Sequence, residues 1–278
     1  MKKLLAVLLL LCLLPCQSVV AEETSNGTIT EINLDNYAVE ETIDEALEPF
    51  IPENLEKKII GPDDRYSIAD PTAYPYSAIA YMEVTARCNC SWTGTGFMVA
   101  EDVLLTAGHC LYCTDHLSWA ESIDFYFGYK NGKNYYHRYN SKWNAWINTD
   151  RINGNDKTSN DYGVVKFRYS PPGRTTGWFG MCTLSDSQLD NSLLQVVGYR
   201  NKSLKADHGF VESLHQNIIY HDADTVSGNS GCPIITYQKD GEYTVGIHTA
   251  QSTNYNLNMG FRYDTRFLNL VRDVRDNK

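Results

Sequence analysis

The decisive stretch of this chain reads GNSGCP over residues 228–233, a serine in a glycine-flanked turn. A serine hydroxyl is a weak nucleophile at neutral pH unless a neighbouring base takes its proton, so the stretch needs a partner. A second stretch, TAGHC over residues 106–110, supplies His109 as that base. A third, NDYGVVKF over residues 160–167, places Asp161 at the start of an apolar strand, where its carboxylate can orient the imidazole.

The order of the three residues along the chain is informative in itself. His109 comes first, Asp161 second and Ser230 third. This is the order of chymotrypsin, and it excludes both the subtilisin order and the α/β-hydrolase order. Each residue alone has a structural alternative, since Gly-x-Ser-Gly is often only a turn and an aspartate before a strand is often a turn former. Three residues in the right order and local frame favour the catalytic interpretation.

The rest of the chain has a β-rich pattern. Short runs of β-branched and aromatic residues recur between Gly, Asn, Asp and Pro, which predicts antiparallel strands in barrels or sandwiches. Helical periodicity is clear only near the C-terminus, in an amphipathic stretch capped by Asp264 or Thr265. The SPPG run at residues 170–173 is the best break between two halves. The fold class is therefore all-β.

These motifs resemble those of the chymotrypsin-fold serine peptidases, and within that fold most those of the bacterial glutamyl endopeptidases. Four further stretches carry the resemblance: IIGPDDR at 59–65, TAYPY at 72–76, TGWFG at 176–180 and IHT at 247–249. The resemblance covers essentially all of residues 59–273. It is therefore much broader than the three catalytic motifs.

The resemblance implies two antiparallel six-stranded β-barrels and a C-terminal helix, with the active site in the cleft between the barrels. Residues 59–172 would form the N-terminal barrel and carry His109 and Asp161. Residues 173–278 would form the C-terminal barrel with Ser230, followed by the terminal helix. A secreted, non-catalytic binding module on the same fold is the alternative from another functional class.

The resemblance also assigns roles to the site residues. Ser230 would attack the peptide carbonyl, while His109 takes its proton and Asp161 orients the imidazole. The backbone amides of Gly228 and Ser230 would form the oxyanion hole. Asn229 stands where the digestive enzymes carry an aspartate that pairs with the new amino terminus, so that activation switch is expected to be absent.

Residues near the serine predict opposite substrate preferences. Asp224, six residues before Ser230, stands where trypsin-like enzymes hold the carboxylate that selects Lys or Arg. His248 stands where glutamyl endopeptidases place a histidine that binds a substrate carboxylate, and Thr225 adds a hydroxyl. The α-amino group of Ile59, as a new terminus, would add positive charge. We therefore expect cleavage after Glu or Asp at P1, with cleavage after Lys or Arg as the alternative.

Two removable segments precede the predicted barrels. Residues 1–21 begin with two lysines, continue in a short apolar run and end in a small residue, which predicts a secretory signal peptide. Residues 22–58 contain eleven acidic residues and end in a dibasic pair, which predicts an acidic pro-segment. A disordered linker is its structural alternative. We expect a second protease of basic specificity to cut after Lys58.

Composition limits the partners of the mature protein. Most of the formal net charge of −10 lies in residues 22–58, and the remainder has no basic excess, so nucleic acid is not an expected partner. No later stretch is apolar enough to predict stable membrane association. We expect a secreted monomer that acts on proteins or peptides and needs no cofactor.

Six cysteines remain after the signal peptide: Cys88, Cys90, Cys110, Cys113, Cys182 and Cys232. An even number in an exported protein favours disulfides. The first two would cross-link to the next two in either register, and the last two would pair in the second barrel. The first four could also form a zinc site, but the secreted setting favours disulfides, so no metal is expected. Five histidines show no ligand spacing: His116, His137, His208, His215 and His221.

Overall fold

The computed structural model describes residues 21–23, 27–32, 65–130, 132–134, 136, 138–139, 142–153, 158–238, 241–252 and 257–277. The strands of the first half are β1 (Ala21–Glu23), β2 (Gly27–Ile32), β3 (Tyr66–Ser67), β4 (Ile79–Ala86), β5 (Ser91–Met98), β6 (Val103–Thr106), β7 (Tyr112–Cys113), β8 (Ser118–Phe127), β9 (Tyr129–Lys130), β10 (Lys133–Asn134), β11 (Arg138–Tyr139), β12 (Trp143–Asn148) and β13 (Gly163–Phe167). Those of the second half are β14 (Gly180–Met181), β15 (Leu193–Arg200), β16 (Ser203–His215), β17 (Ile218–His221), β18 (Pro233–Gln238), β19 (Gly241–Gln251) and β20 (Asn258–Arg262). The α-helices are α1 (Thr149–Ile152), α2 (Gly173–Thr176), α3 (Asp186–Leu189) and α4 (Thr265–Asp276).

The second half forms a closed antiparallel barrel. Its six strands run in the order β19, β18, β15, β16, β17 and β20, and β20 pairs again with β19. Closure leaves no free edge in this ring, and inward-facing side chains such as Ile219 and Ile234 are fully buried. The all-β fold class is confirmed, including the six-stranded barrel of the second half.

The sheet of the first half curls into a half-barrel and does not close. Strands β12, β13, β6, β5, β4 and β8 follow one another in antiparallel pairs, with Ile123, Phe125 and Phe127 of β8 fully buried on the inner face. The outer edge of β12 pairs in parallel with β2. Strand β2 also contacts β8. The predicted pair of six-stranded barrels is thus one closed barrel and one curled half-barrel, and β2, a strand of the predicted acidic leader, pairs with the edge of β12.

One continuous apolar core joins the two halves. Its largest fully buried side chains come from both of them: Trp143, Tyr162, Tyr199, Phe97, Phe125, Phe127, Phe179, Phe261 and Phe267. The Tyr162 ring packs 4.8 Å from Phe261 and 5.0 Å from Phe267, measured between centroids. The start of β13 is therefore held by side chains of the second half.

The C-terminal helix α4 has the predicted cap and apolar face. The Asp264 carboxylate accepts a hydrogen bond from the Phe267 amide at 2.9 Å, which satisfies one of the free amides of the first turn. At the other end, the buried Lys166 ammonium of β13 donates to the Val274 and Arg275 carbonyl oxygens at 2.7 and 2.6 Å. Within the described residues, none of the helices has the length and apolar character needed to cross a membrane.

Candidate active site

His109 and Asp161 meet because the strands that carry them are neighbours. His109 lies in a short 3-10 turn after β6, and Asp161 lies just before β13, which pairs with β6. The Nδ1 atom of His109 is 2.7 Å from Oδ2 of Asp161, and the His109 amide donates to Oδ1 at 2.9 Å. Two contacts to one carboxylate fix both the backbone and the ring of the histidine.

The pair shifts the pKa of each partner. Burial alone would lower the pKa of His109, but the neighbouring Asp161 carboxylate outweighs it and holds that pKa well above 6.5. Burial likewise would raise the pKa of Asp161, but His109 and then Arg151 outweigh it and hold the pKa below its ordinary value. The pair therefore favours an imidazolium next to a carboxylate, the charge state that proton abstraction creates.

A buried arginine adds a second cation to this carboxylate. Arg151 lies in α1, is 4% exposed, and places its Nε 3.3 Å from Oδ1 of Asp161. Helix α1 starts at a cap in which the Asn148 side chain accepts from the Asp150 amide at 2.7 Å. No sequence motif marks Arg151, because a lone arginine after a strand has no characteristic spacing.

The turn around the serine depends on glycine geometry. Gly228 has a φ of +99°, and a Cβ there would lie 2.8 Å from the Tyr199 carbonyl oxygen. The Asn229 amide donates to the Val226 carbonyl at 2.9 Å, while its side-chain oxygen accepts from the Val226 amide at 2.8 Å. Among the described residues, the amides of Gly228 and Ser230 have no protein acceptor. Two neighbouring donors are therefore available to an oxyanion.

Thr95 of β5 fixes this turn against the first half. Its amide donates to the Ser230 carbonyl at 2.9 Å, and its hydroxyl donates to the Gly228 carbonyl at 2.8 Å. The same hydroxyl accepts from the Tyr199 amide at 2.9 Å. The Ser230 carbonyl also lies 3.6 Å from Sγ of Cys110, the residue after the base. The structure thus brings the serine turn and the histidine turn together, and Thr95 is a further residue of this region that no sequence motif marks.

The predicted specificity histidine lies deep in the second barrel. His248 of β19 is 4% exposed, and its ring centroid is 5.7 Å from that of His221, which is fully buried. Burial lowers the pKa of His221 to about 4. Burial, and then the neighbouring His221 and His109, lower the pKa of His248 well below 6.5. His248 is therefore neutral at pH 7, and its Nδ1 has no partner among the described residues.

The two other predicted pocket residues are already engaged. The Thr225 hydroxyl donates to the Asn258 side-chain oxygen at 2.7 Å, so its proton is not free for a substrate. Asp224 is exposed, and its amide donates to the buried carboxylate of Asp207 at 2.5 Å. Asn258 was not expected from the sequence. The predictions for Ile59 and Lys58 lie outside the described residues.

The cysteines do not follow the predicted pairing. All six carry thiols rather than disulfides, and Cys110 is buried beside the Ser230 carbonyl. The other three cysteines of the first half lie with His116, for which the sequence had indicated no role. The predicted cross-link to Cys110 is therefore absent, because that side chain is buried beside the serine turn and is not part of the cluster of the other three cysteines.

Comparison with known proteins gives one family match and two curated relatives that are both named as proteases. The family of trypsin-like peptidase domains matches residues 94–247. The extracellular metalloprotease of Bacillus subtilis (strain 168) is 31% identical over 206 residues, which are 72% of this chain and 64% of that protein. The glutamyl endopeptidase of Bacillus licheniformis is 28% identical over 202 residues, 69% of this chain and 61% of that protein. The matches therefore span less than two thirds of these relatives' own length.

Solved structures agree at the level of the fold. A Glu endopeptidase in complex with MPD has a TM-score of 0.67 and 24% identity, covering 79% of this chain and all of that one (100%). The protease Anisep from Arthrobacter nicotinovorans has a TM-score of 0.60 and 16% identity, covering 74% of this chain and 96% of that one. Both superpose on the two-halved architecture described above.

Proposed function

The chain belongs to the family of trypsin-like peptidase domains, and from this premise we propose that it is a secreted serine endopeptidase that forms an acyl-enzyme at Ser230. The observation that carries the proposal is the 2.7 Å contact between His109 and Asp161 beside the serine turn. In this proposal His109 is the base, Asp161 orients it, and Ser230 in the neighbouring turn is the nucleophile.

The chemistry follows from these positions. His109 takes the proton of Ser230 as its oxygen attacks the peptide carbonyl, and Asp161 stabilises the imidazolium that forms. The amides of Gly228 and Ser230 hold the developing oxyanion, a type of contact whose removal costs about 3 to 4 kcal/mol of transition-state stabilisation. His109 then protonates the leaving amine, and water repeats the sequence to release the acyl group.

Active-site labelling separates this proposal from a non-catalytic binding module. The chain processed after Lys58 should react with a fluorophosphonate at Ser230, and Ser230→Ala should abolish both labelling and peptide hydrolysis while leaving the thermal melt unchanged. Folded protein that neither reacts nor hydrolyses would favour the binding module.

We propose an acidic P1 preference, with His248 as the residue that receives the substrate carboxylate. Support comes from its free, buried Nδ1 and from the glutamyl endopeptidase among the relatives. Because His248 is neutral when free, binding of a carboxylate would draw a proton onto it. Asp224 supports the basic alternative less well, because it is exposed rather than buried at the base of a pocket.

Cleavage of a mixed proteome tests this preference. The chain beginning at Ile59 should enrich Glu and Asp before the cut, and His248→Asn should lower kcat/KM for a Glu substrate by at least about tenfold. Asp224→Asn is the matched control and should leave the preference unchanged. Enrichment of Lys and Arg that disappears in Asp224→Asn would replace His248 with Asp224 as the specificity residue.

We also propose export and proteolytic maturation. The apolar leader at residues 1–21 and the dibasic pair before Ile59 support a signal peptide and a cut after Lys58 by another protease. Amino-terminal sequencing of protein from the culture medium should read Ile-Ile-Gly. A different mature terminus would remove the α-amino group of Ile59 from the substrate pocket.

A further inference from the structure

Two turns of the first half meet beside the histidine loop. Cys88 and Cys90 lie in the turn between β4 and β5, whereas Cys113 and His116 lie in the β7–β8 hairpin. Backbone contacts hold the turns together, since the Cys88 amide donates to the Ser118 hydroxyl at 3.0 Å. The cluster of these three cysteines and His116 thus lies at the ends of paired strands and shares no residue with the proposed catalytic site.

The spacing of the side-chain atoms in this cluster suits a tetrahedral metal ion. The three sulfurs and a ring nitrogen all lie within 4.8 Å of one another. The His116 Nδ1 atom is 3.3 Å from Sγ of Cys90 and 3.5 Å from Sγ of Cys113. Tetrahedral zinc, with Zn–S of about 2.3 Å and Zn–N of about 2.0 Å, places such atoms about 3.5 Å apart. The two measured distances match that geometry within a few tenths of an ångström.

Disulfide bonds explain the cluster less completely. Three cysteines are an odd number, so any disulfide among them leaves one thiol over and gives the histidine no role. Cys110, which could have been the fourth thiol, is buried beside the Ser230 carbonyl instead.

We propose that Cys88, Cys90, Cys113 and His116 form a structural zinc site. Four protein ligands leave no open position, which is the mark of a structural site rather than a catalytic one. The three thiols lose their protons on binding, and the neutral imidazole supplies the fourth ligand. The ion ties the β4–β5 turn to the hairpin that follows His109.

Metal analysis of the purified full-length chain tests the site. The protein should be expressed with zinc, kept under a non-chelating reductant and held inactive by Ser230→Ala. We expect about one zinc ion per chain. Cys113→Ser should reduce this to background, and His116→Ala should weaken zinc retention at least tenfold in competition with a chromogenic chelator. The matched control His215→Ala changes an exposed histidine of the second half and should retain the full zinc content.

A second measurement needs no variant. Cobalt added to the metal-stripped chain should give the intense d–d bands of tetrahedral coordination and a thiolate charge-transfer band, and removal of zinc should lower the melting temperature. The site is wrong if the folded chain binds neither ion while its three thiols remain reactive. It is equally wrong if peptide mapping without reductant finds a disulfide among Cys88, Cys90 and Cys113.

Discussion

Asp161 organises the site at the scale of single residues, because two cations share its oxygens. His109 holds one oxygen at 2.7 Å, and Arg151 approaches the other at 3.3 Å. A buried carboxylate with two cationic neighbours stays ionised, so the imidazole keeps a fixed tautomer and a stabilising charge. Arg151 acts through Asp161 and is a positioning residue.

The pKa of His109 should therefore depend on Asp161. In Ser230→Ala protein, nuclear magnetic resonance of the ring should give a titration midpoint well above 6.5, because Asp161 favours the imidazolium. Replacing Asp161 with Asn removes that charge and should lower the midpoint. In the active enzyme, kcat/KM should accordingly rise with pH through a midpoint above 6.5, since catalysis needs the neutral base. An unchanged midpoint in Asp161→Asn would contradict the assigned pairing.

Sequence motifs predict the residues that stand in them, but they do not mark residues that contact the site from distant positions in the chain. His109, Asp161 and the glycine-flanked serine each stand in a recognisable local frame. Arg151 and Thr95 act through contacts with residues 10 and 135 positions away, and no periodicity or spacing reports such contacts. The sequence likewise indicates no role for His116, because two of the three cysteines around it lie in a different turn.

At the scale of elements, β2 is the least expected part of the fold. Its sequence lies in an acidic leader, yet its backbone pairs in parallel with β12 from Gly27 opposite Trp143 to Ile32 opposite Asn148. Edge pairing depends on backbone donors and acceptors, which every sequence carries, so composition could not predict it. Helix α4 is the opposite case, because its cap and apolar face are both visible in the sequence.

Removal of the leader should uncover the outer edge of β12. In the full chain, about half of the β12 amides face β2, since alternate amides point to opposite edges. These amides should exchange hydrogen at least about tenfold faster in the chain that begins at Ile59, because they lose their partners. The amides of β12 that face β13 provide the control and should exchange at the same rate. Equal exchange at the outer edge in both chains would show that β2 does not protect it.

At the scale of the whole molecule, the two halves depend on each other around Thr95. This one side chain of the first half bonds the Gly228 carbonyl and the Tyr199 amide of the second. The turn that carries Ser230, the proposed nucleophile, therefore belongs to one half and is held by the other, and relative movement of the halves would displace it.

Thr95→Val should show this dependence. The change keeps the volume but leaves the Gly228 carbonyl and the Tyr199 amide without their partner, which costs about 1 to 3 kcal/mol in the free energy of unfolding. We expect kcat to fall more than KM rises, because the oxyanion donors lie on the same turn. Urea melts and peptide hydrolysis measure the two effects. Thr95→Ser keeps the hydroxyl and should retain most of the stability and most of the peptide hydrolysis. Equal losses in the Ser and Val variants would mean that packing, not hydrogen bonding, matters.

Lys166 of β13, which bonds the last carbonyls of α4, also limits how far this helix can be shortened. Lys166 is buried against the last carbonyls of the helix and has Asp102 at 3.3 Å. A truncation that removes Val274 and Arg275 would take away both carbonyl acceptors and leave the ammonium with Asp102 alone, so the last turn of α4 contributes to the stability of the fold. An affinity tag or fusion partner that replaces residues of this turn should accordingly destabilise the protein, whereas one placed beyond α4 should not.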